Sequence, residues 1–259
     1  MGTRKGNVRE FEKGCIVKLN CDLGESFGSW KMGIDEEIMP LIDSANIACG
    51  FHASDPVIMQ QTVELALKHG VAIGAHPGYP DLVGFGRRSM VCSQKEIEAF
   101  LIYQCGALDA MCKTYGTKVE YVKPHGALYN DMMKNDAVFL ALIQGLSKYR
   151  KDLKLMMLST NRNAHYEELA KSFGVELIYE VFADRAYTKE GLLVPRTEDG
   201  SVIESTDEIL ERIEMLQNEK KLKTICGKKI ELQADSMCVH GDNQKAVDLV
   251  KALRDYIGE

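Results

Sequence analysis

The sequence predicts an α/β fold with a mainly parallel sheet, because short apolar strands alternate with amphipathic helices along its 259 residues. About seven βα units fit this length, which favours a closed or nearly closed barrel over an open, doubly wound sheet. No repeat, low-complexity tract or change of composition interrupts the alternation. Residues 15–259 are therefore predicted to form one domain, and residues 1–14 a flexible extension.

The strands and helices follow one another with recognisable ends. Strands are predicted over residues 16–19, 44–48, 71–75, 119–122, 155–158, 175–179 and 236–239. Helices are predicted over residues 35–41, 56–69, 93–115, 128–149, 163–173 and 207–216, with a final helix after the last strand. Asp35 and Asp55 are placed as N-caps, Gly70 follows a C-terminus, and Ser93 with Glu96 matches a capping box.

Two segments depart from this alternation. Residues 186–205 lack clear periodicity and are long for a connection, which indicates a lid or a contact with another protein chain. Residues 223–232 are predicted to form a hairpin around Gly227.

Composition excludes several function classes. The formal net charge of -6 removes the electrostatic attraction that non-specific binding to nucleic acid or to an anionic membrane needs. No apolar run approaches the roughly 18 residues of a membrane span, and the charged N-terminus lacks the apolar core of a secretory signal. None of the eight cysteines forms a CxxC motif, which is typical of free thiols in a reducing cytoplasm. We therefore expect a cytoplasmic protein with small-molecule or protein partners.

The loop GAHPGYPDLVGFGRR, residues 74–88, is rich in backbone constraint. It follows an apolar strand, and its prolines and glycines fix turns and permit close approach of the backbone to a ligand. A rigid loop of this kind can direct His76, Asp81, Arg87 and Arg88 at one place. The alternative interpretation is a tight connection whose arginines are solvated.

Ionisable residues recur just after predicted strands. These residues are Asp22, Glu25, His52, His76, Lys123, His125, Glu180, Asp184, Arg185, His240 and Asp242. In a parallel barrel such positions converge on one mouth. Any one of them could merely cap a strand or form a salt bridge, but the set as a whole predicts a site. The two remaining histidines, His69 and His165, fall on helices and are predicted to be surface residues.

Two kinds of chemistry fit this set. Histidines with carboxylates could hold a divalent metal with an open position for water, and the candidate ligands are Asp22, His52 and His76. No tight HxxxH spacing marks such a site. Cys21 and Cys49 lie nearby and could act as nucleophiles, but small buried thiols are more often packing residues.

In the second chemistry, histidine and aspartate act as general acid and base without a metal. The cations that would then bind a carboxylate or a phosphate are Lys123, Arg87, Arg88 and Arg185. No Walker P-loop motif occurs, so a nucleotide would be held in another way.

Six long motifs resemble the LamB/YcsF family. They are NCDLGESFG (20–28), SANIACGFHASDP (44–56), GAHPGYPDLVGFGRR (74–88), YVKPHGALYN (121–130), EVFADRAYTKEGLLVPR (180–196) and CVHGDN (238–243). The resemblance runs from about residue 16 to the C-terminus and leaves residues 1–14 without a counterpart. Ser54, where glycine is expected, is a minor departure.

The resemblance implies an irregular seven-stranded, TIM-like β/α barrel of the glycoside hydrolase/deacetylase superfamily type. It also implies ATP-dependent ring opening of 5-oxo-L-proline to L-glutamate, with ATP and Mg²⁺, by a complex that contains two further subunits, B and C. Two other functions stay open. One is a stand-alone metal-dependent hydrolase of a sugar or an N-acyl compound, and the other is a non-enzymatic protein that presents 5-oxoproline to its partners. A homo-oligomer is also left open.

Under this resemblance the strand-end residues acquire roles. The catalytic candidates are Asp22, Glu25, His52, His76, Lys123, His125, Asp184, His240 and Asp242. The substrate-binding candidates are Asn20, Arg87, Arg88, Arg185 and Tyr129. We expect Asp22 with His52 or His76 to position a water molecule, and Lys123 and His125 to stabilise phosphoryl or oxyanion charge.

Overall fold

Parallel strands close into a seven-stranded barrel in the computed structural model of the protein, as the sequence predicts. The first six barrel strands are β1 (Lys18–Leu23), β2 (Ser44–Ala48), β3 (Ala72–His76), β4 (Tyr121–Val122), β5 (Lys154–Leu158) and β6 (Leu177–Phe182). Next in the chain, β7 (Lys221–Lys223) and β8 (Lys229–Glu231) form a separate antiparallel hairpin. The last barrel strand, β9 (Ser236–Val239), pairs with both β6 and β1 and so closes the barrel.

The structure describes residues 17–241 and 243–258. Three predictions fall outside these residues: the extension at residues 1–14, the strand start at residue 16, and the site residue Asp242.

Eight α-helices are present in the described residues. They are α1 (Asp35–Ile38), α2 (Pro56–His69), α3 (Gln94–Thr114), α4 (Gly126–Met132), α5 (Asp136–Tyr149), α6 (Asn163–Lys171), α7 (Thr206–Glu219) and α8 (Gln244–Gly258), and a short 3₁₀ helix, Met39–Leu41, follows α1. None of these helices combines the length and apolar character that crossing a bilayer requires.

Most predicted helix ends are confirmed. The side chain of Asp55 accepts hydrogen bonds from two backbone N–H groups of α2, Gly70 ends that helix with φ of 68°, and Ser93 with Glu96 forms the capping box of α3. Asp35 is different, because the residue at the N-cap is Ile34. The carboxylate of Asp35 instead accepts from the backbone N–H of Gly24, at 2.8 Å, and thereby holds the loop after β1.

The prediction of one helix over residues 128–149 is wrong in one respect, because the structure has two helices there. The chain breaks between α4 and α5, where the side chain of Asn135 accepts from the backbone N–H of Ala137 and caps the second helix. Asn135 is a good N-cap residue, and its side chain competes with helical continuation.

Two strands are displaced from their predicted positions. The strand predicted over 175–179 is β6, Leu177–Phe182, because the N–H of Val175 bonds to the carbonyl of Ala170 and so belongs to the end of α6. The first strand likewise extends to Leu23. As a result Asp22 and Glu180 lie within strands instead of following them.

The barrel interior is polar where it approaches the mouth. Asn20, Asn46, Lys123 and Glu180 are at most 2% exposed, although the core between the barrel and the surrounding helices is apolar. Buried polar groups persist only when they are hydrogen-bonded or paired. The interior side chains therefore form a network of hydrogen bonds and ion pairs.

Candidate active site at the barrel mouth

A chain of amide and hydroxyl groups fixes Asp22 inside the barrel. The side-chain amide of Asn46 donates to Asp22 Oδ1 and to Asn20 Oδ1, both at 2.8 Å. Tyr121 donates to Asn46 Oδ1 at 2.6 Å, and Asn20 donates to the hydroxyl of Ser236 at 2.7 Å. These contacts come from β1, β2, β4 and β9, so closure of the barrel itself sets the position of the Asp22 carboxylate.

Lys123 lies between two carboxylates. Its Nζ is 2.9 Å from Asp22 Oδ1 and 2.7 Å from Glu180 Oε1, and Tyr129 donates to the other oxygen of Glu180 at 2.8 Å. Burial alone would lower the pKa of Lys123, but the neighbouring carboxylates raise it well above its ordinary value. Burial would raise the pKa of Asp22, but His76 and Lys123 hold it well below its ordinary value. The ammonium group is therefore a fixed positive charge.

Backbone carbonyls fix the orientation of two buried histidines. His76 Nδ1 is 2.7 Å from the carbonyl oxygen of Lys123, and His125 Nε2 is 2.9 Å from that of Phe85. Because a carbonyl only accepts, we assign the ring protons to those two nitrogens. The other nitrogens, His76 Nε2 and His125 Nδ1, then face each other at 2.9 Å, and His76 Nε2 is also 3.3 Å from Asp22 Oδ2. A proton on His76 Nε2, or a cation between the two nitrogens, would bridge the rings.

His52 and Glu25 complete this group. The ring of His52 stacks on that of His125 with centroids 3.6 Å apart. Glu25 Oε1 is 3.2 Å from His52 Nε2 and 3.4 Å from His125 Nδ1. Burial, together with neighbouring histidines, lowers the pKa of both His52 and His125 well below the ordinary value. Both rings are therefore neutral, which is the form that binds metals.

The cluster Glu25, His52, His76 and His125, hereafter the His/Glu group, could hold a metal ion. It offers four ligand atoms that all lie within 4.8 Å of one another. Ligating histidines usually donate their second ring N–H to a carbonyl or carboxylate, as His76 and His125 do here. Two of the predicted metal ligands, His52 and His76, belong to this group. Asp22 is not one of these four residues, although its Oδ2 lies 3.3 Å from His76 Nε2.

A second pair lies on the β6 and β9 side of the mouth. His240 Nδ1 is 2.7 Å from Asp184 Oδ2. Burial would raise the pKa of Asp184, but the hydrogen bond and charge of His240 lower it below its ordinary value. His240 lines a cavity of about 470 Å³ that also contains Asp22, Glu25, His76 and Lys123. The strand ends therefore do converge on one cavity.

The comparison with known proteins identifies the family. The LamB/YcsF family model matches residues 17–259. The chain belongs to the LamB/YcsF family. A protein of Vibrio campbellii, named as the A component of 5-oxoprolinase, is 53% identical over 93% of this chain and 95% of its own length. A second protein, from Pseudomonas aeruginosa, has the same name followed by the number 3. It is 49% identical over 94% of this chain and 97% of its own length.

Solved structures agree with the fold. The crystal structure of a lactam utilization protein from Thermus thermophilus has a TM-score of 0.86 and 40% identity, covering 93% of this chain and 96% of that one. A putative cellobiose-phosphate cleavage protein from Enterococcus faecalis, at 16% identity and a TM-score of 0.53 over 93% of this chain and 94% of that one, shares the fold alone. The barrel that the resemblance implied is thus confirmed for this LamB/YcsF chain.

Most of the predicted site residues of this LamB/YcsF chain line the cavity. They are Asp22, Glu25, His76, Arg87, Lys123, His125, Tyr129, Arg185 and His240. Three others support the lining from behind: Asn20 holds Asn46, His52 stacks on His125, and Asp184 contacts His240. Of the predicted residues that fall on helices, His69 is exposed and His165 contacts Asp136, away from the site.

Arg88 is the predicted anion-binding residue that the structure places elsewhere. Arg88 Nε donates to both carboxylate oxygens of Asp81, each at 3.0 Å. Arg88 does not line the cavity. Asp81 also accepts from the backbone N–H of Gly84, at 3.0 Å. The hydrogen bond from Arg88 lowers the pKa of Asp81 to about 2. Asp81 and Arg88 therefore fasten the loop that places His76 and Arg87.

The thiols near the site have the character of packing residues. Cys21 and Cys49 are buried, and burial raises the pKa of Cys49 to about 12. A thiol with such a pKa supplies almost no thiolate near neutrality. Five of the seven cysteines of the described residues are buried.

Sequence reasoning missed several residues of the site. Asn46 and Tyr121 lie inside predicted strands, and Arg196 lies in the segment without periodicity. A signal was present for Asn46, because an asparagine within a short buried strand must find partners inside the fold. The carbonyl of Phe85, by contrast, leaves no trace in the sequence, since any residue has one.

Proposed function

We propose that this chain is the A component of an ATP-dependent 5-oxoprolinase. With two partner subunits, B and C, it would open 5-oxo-L-proline to L-glutamate while ATP is hydrolysed to ADP and phosphate. The observation that carries the proposal is the Lys123 ammonium, held between Asp22 and Glu180 beside neutral histidines in a cavity of about 470 Å³. The names of the 5-oxoprolinase relatives supply the substrate.

The geometry suits the hydrolysis of a stable lactam. Resonance makes the lactam carbonyl a poor electrophile, and phosphorylation of its oxygen by ATP would give the carbon a good leaving group. Lys123 is a preorganised positive charge for the oxygen that becomes anionic, and such charges supply a large part of catalysis in dry sites. A neutral histidine of the His/Glu group would accept a proton from the attacking water. His240, oriented by Asp184, would give a proton to the ring nitrogen as the C–N bond breaks. The product of this step is an acyl phosphate, and a second water molecule would hydrolyse it to glutamate and phosphate.

A divalent metal other than the Mg²⁺ of ATP fits the His/Glu group. Three imidazoles and one carboxylate suit zinc or another transition metal, whereas magnesium prefers oxygen ligands. Such an ion would polarise a carbonyl or lower the pKa of a bound water molecule. Glu25, His52, His76 and His125 would hold it, and the carbonyls of Lys123 and Phe85 would orient two of the rings.

The His/Glu group also favours a second candidate function, a stand-alone metal-dependent hydrolase of a sugar or an N-acyl compound. Metal analysis and partner-free assays separate the two functions. Stoichiometric zinc or manganese, together with hydrolysis that needs neither ATP nor partners, would favour the second function.

Reconstitution tests the first function. The purified chain is combined with its B and C partners, 5-oxoproline, ATP and Mg²⁺, and glutamate and ADP are measured together. We expect glutamate and ADP in equal amounts, and loss of glutamate when ATP, this chain or either partner is omitted. Full glutamate formation without this chain would contradict the proposal.

A further inference from the structure

Three arginines that line the cavity, Arg87, Arg185 and Arg196, form no ion pair with a carboxylate of residues 17–241 or 243–258. Every arginine that does pair with a carboxylate in this part of the chain lies outside the cavity lining; these are Arg88, Arg150, Arg162 and Arg254. The cavity therefore keeps positive charge that the described carboxylates do not neutralise.

The side chain of Arg185 is buried in the cavity wall and held there by hydrogen bonds. Arg185 follows β6 and is 6% exposed. Its guanidinium donates to the carbonyl of Ser201 at 3.1 Å and to that of Val194 at 2.6 Å. Both acceptors are neutral, and they use only part of the five-donor fork of a guanidinium. The remaining N–H groups can bind a ligand in the cavity.

Arg196 brings a second positive charge to the same wall. It lies two residues beyond Val194, whose carbonyl Arg185 holds, and its side chain is exposed at the cavity. Burial, followed by the nearby charge of Arg196, lowers the pKa of Arg185. Two like charges near a desolvated position repel each other unless an anion lies between them.

We propose that Arg185 and Arg196 form an oxyanion subsite that binds the carboxylate of 5-oxoproline, so that the lactam end of the substrate is directed toward Lys123. This inference rests on the proposed function and adds the orientation of the substrate. Paired guanidinium groups recognise carboxylates and phosphates by the same planar geometry. A phosphate of ATP is therefore the other source of the same chemistry, and the experiment distinguishes the two sources.

The test compares Arg196→Ala with Lys189→Ala in the reconstituted complex. Lys189 is a matched control, because it is an exposed cation on the same segment and does not line the cavity. Arg196 is preferred to Arg185 because loss of Arg185 would also release the segment. We expect Arg196→Ala to raise KM for 5-oxoproline about tenfold, the effect of one charged hydrogen bond, and Lys189→Ala to leave it unchanged.

A truncated substrate identifies the group that is bound. 2-Pyrrolidinone is 5-oxoproline without its carboxylate, so Arg196→Ala should leave the kinetics of this lactam, or its inhibition of the complex, unchanged. If Arg196→Ala raises KM for ATP and leaves KM for 5-oxoproline unchanged, the two arginines bind a phosphate of ATP. That result would overturn the assignment of the subsite to the substrate carboxylate. Equal KM values for both substrates in Arg196→Ala and wild-type protein would overturn the subsite.

The subsite and the proposed function fail in different ways. If the wild-type complex makes no glutamate, the proposed function fails, and the subsite is then tested by titrating the full chain with inorganic phosphate. Binding that Arg196→Ala weakens about tenfold and Lys189→Ala does not would support it. Absence of phosphate binding to the wild-type chain, or binding equal in wild-type and Arg196→Ala protein, would overturn it.

Discussion

At the scale of single residues, the site depends on Lys123, because its ammonium pairs with both Asp22 and Glu180. We predict that Lys123→Met lowers the free energy of unfolding by about 3 kcal/mol, since it leaves the fully buried carboxylate of Glu180 without a counter-charge and removes one cation from the partly buried Asp22. The control is Lys113→Met. Lys113 pairs with Asp109 at 2.9 Å but is 71% exposed, so its loss should cost less than about 1 kcal/mol. Equal costs in denaturant unfolding would contradict this role of Lys123.

The stacked histidines predict a dependence of stability on pH. His52 and His125 have pKa values well below the ordinary value when folded, whereas in the unfolded chain they bind protons below about pH 6.5. Unfolding then takes up protons, so the free energy of unfolding should fall as pH drops below about 6.5, by up to about 1.4 kcal/mol per pH unit for each histidine.

Denaturant unfolding of chelator-treated protein between about pH 5 and pH 7.5 measures this slope. His52→Gln should make the slope shallower, and His69→Gln, at an exposed helical position, should not change it. A slope that His52→Gln leaves intact would show that this histidine is not held neutral.

Single residues also show what the sequence can and cannot predict. The strand-end histidines could be predicted to meet, because their positions follow from the βα alternation. The partnership of Glu180 with Lys123 could not, because it depends on β6 starting two residues later than predicted. The ring orientations of His76 and His125 depend on the carbonyls of Lys123 and Phe85, which residue identity does not specify.

At the scale of elements, the segment between β6 and α7 is fastened by two arginines. Arg185 holds the carbonyls of Val194 and Ser201, and Arg212 of α7 donates to the carbonyls of Arg185 and Lys223 at 2.9 and 3.0 Å. The sequence predicts this segment to be a lid or a contact with another protein chain, and its contribution of residues 192–197 to the cavity fits a cover over the site.

We predict that Arg212→Met loosens this segment while the barrel stays folded. The substitution removes two charged hydrogen bonds to carbonyls, each worth about 1.5–3 kcal/mol. Hydrogen exchange should become faster at the amides of Ala186 and Ile203, which bond across the segment to Ser201 and Asp184. Amides of β2 provide the internal reference. Unchanged exchange at Ala186 and Ile203 would contradict the role of Arg212.

At the scale of the whole molecule, barrel closure turns separate motifs into one site. The count of βα units predicts closure, and closure predicts that strand ends meet. The division of the cavity into a His/Glu group, a lysine between carboxylates and an arginine wall needed the structure, because it depends on strand register and on which side chains point inward. Neighbours such as Asp22 and Asn46 on β1 and β2 face each other only in the observed register.

The proposed role of this mouth is lactam opening within a three-subunit, ATP-using complex. It is tested most directly by measuring glutamate and ADP formation in reconstituted complexes that contain Asp22→Asn or His125→Ala protein, each first shown to be folded and to bind its partners. We predict that both lose at least about a hundredfold in glutamate formation, as loss of acid–base or electrostatic groups commonly causes. Folded, assembled variants with full turnover would contradict this role.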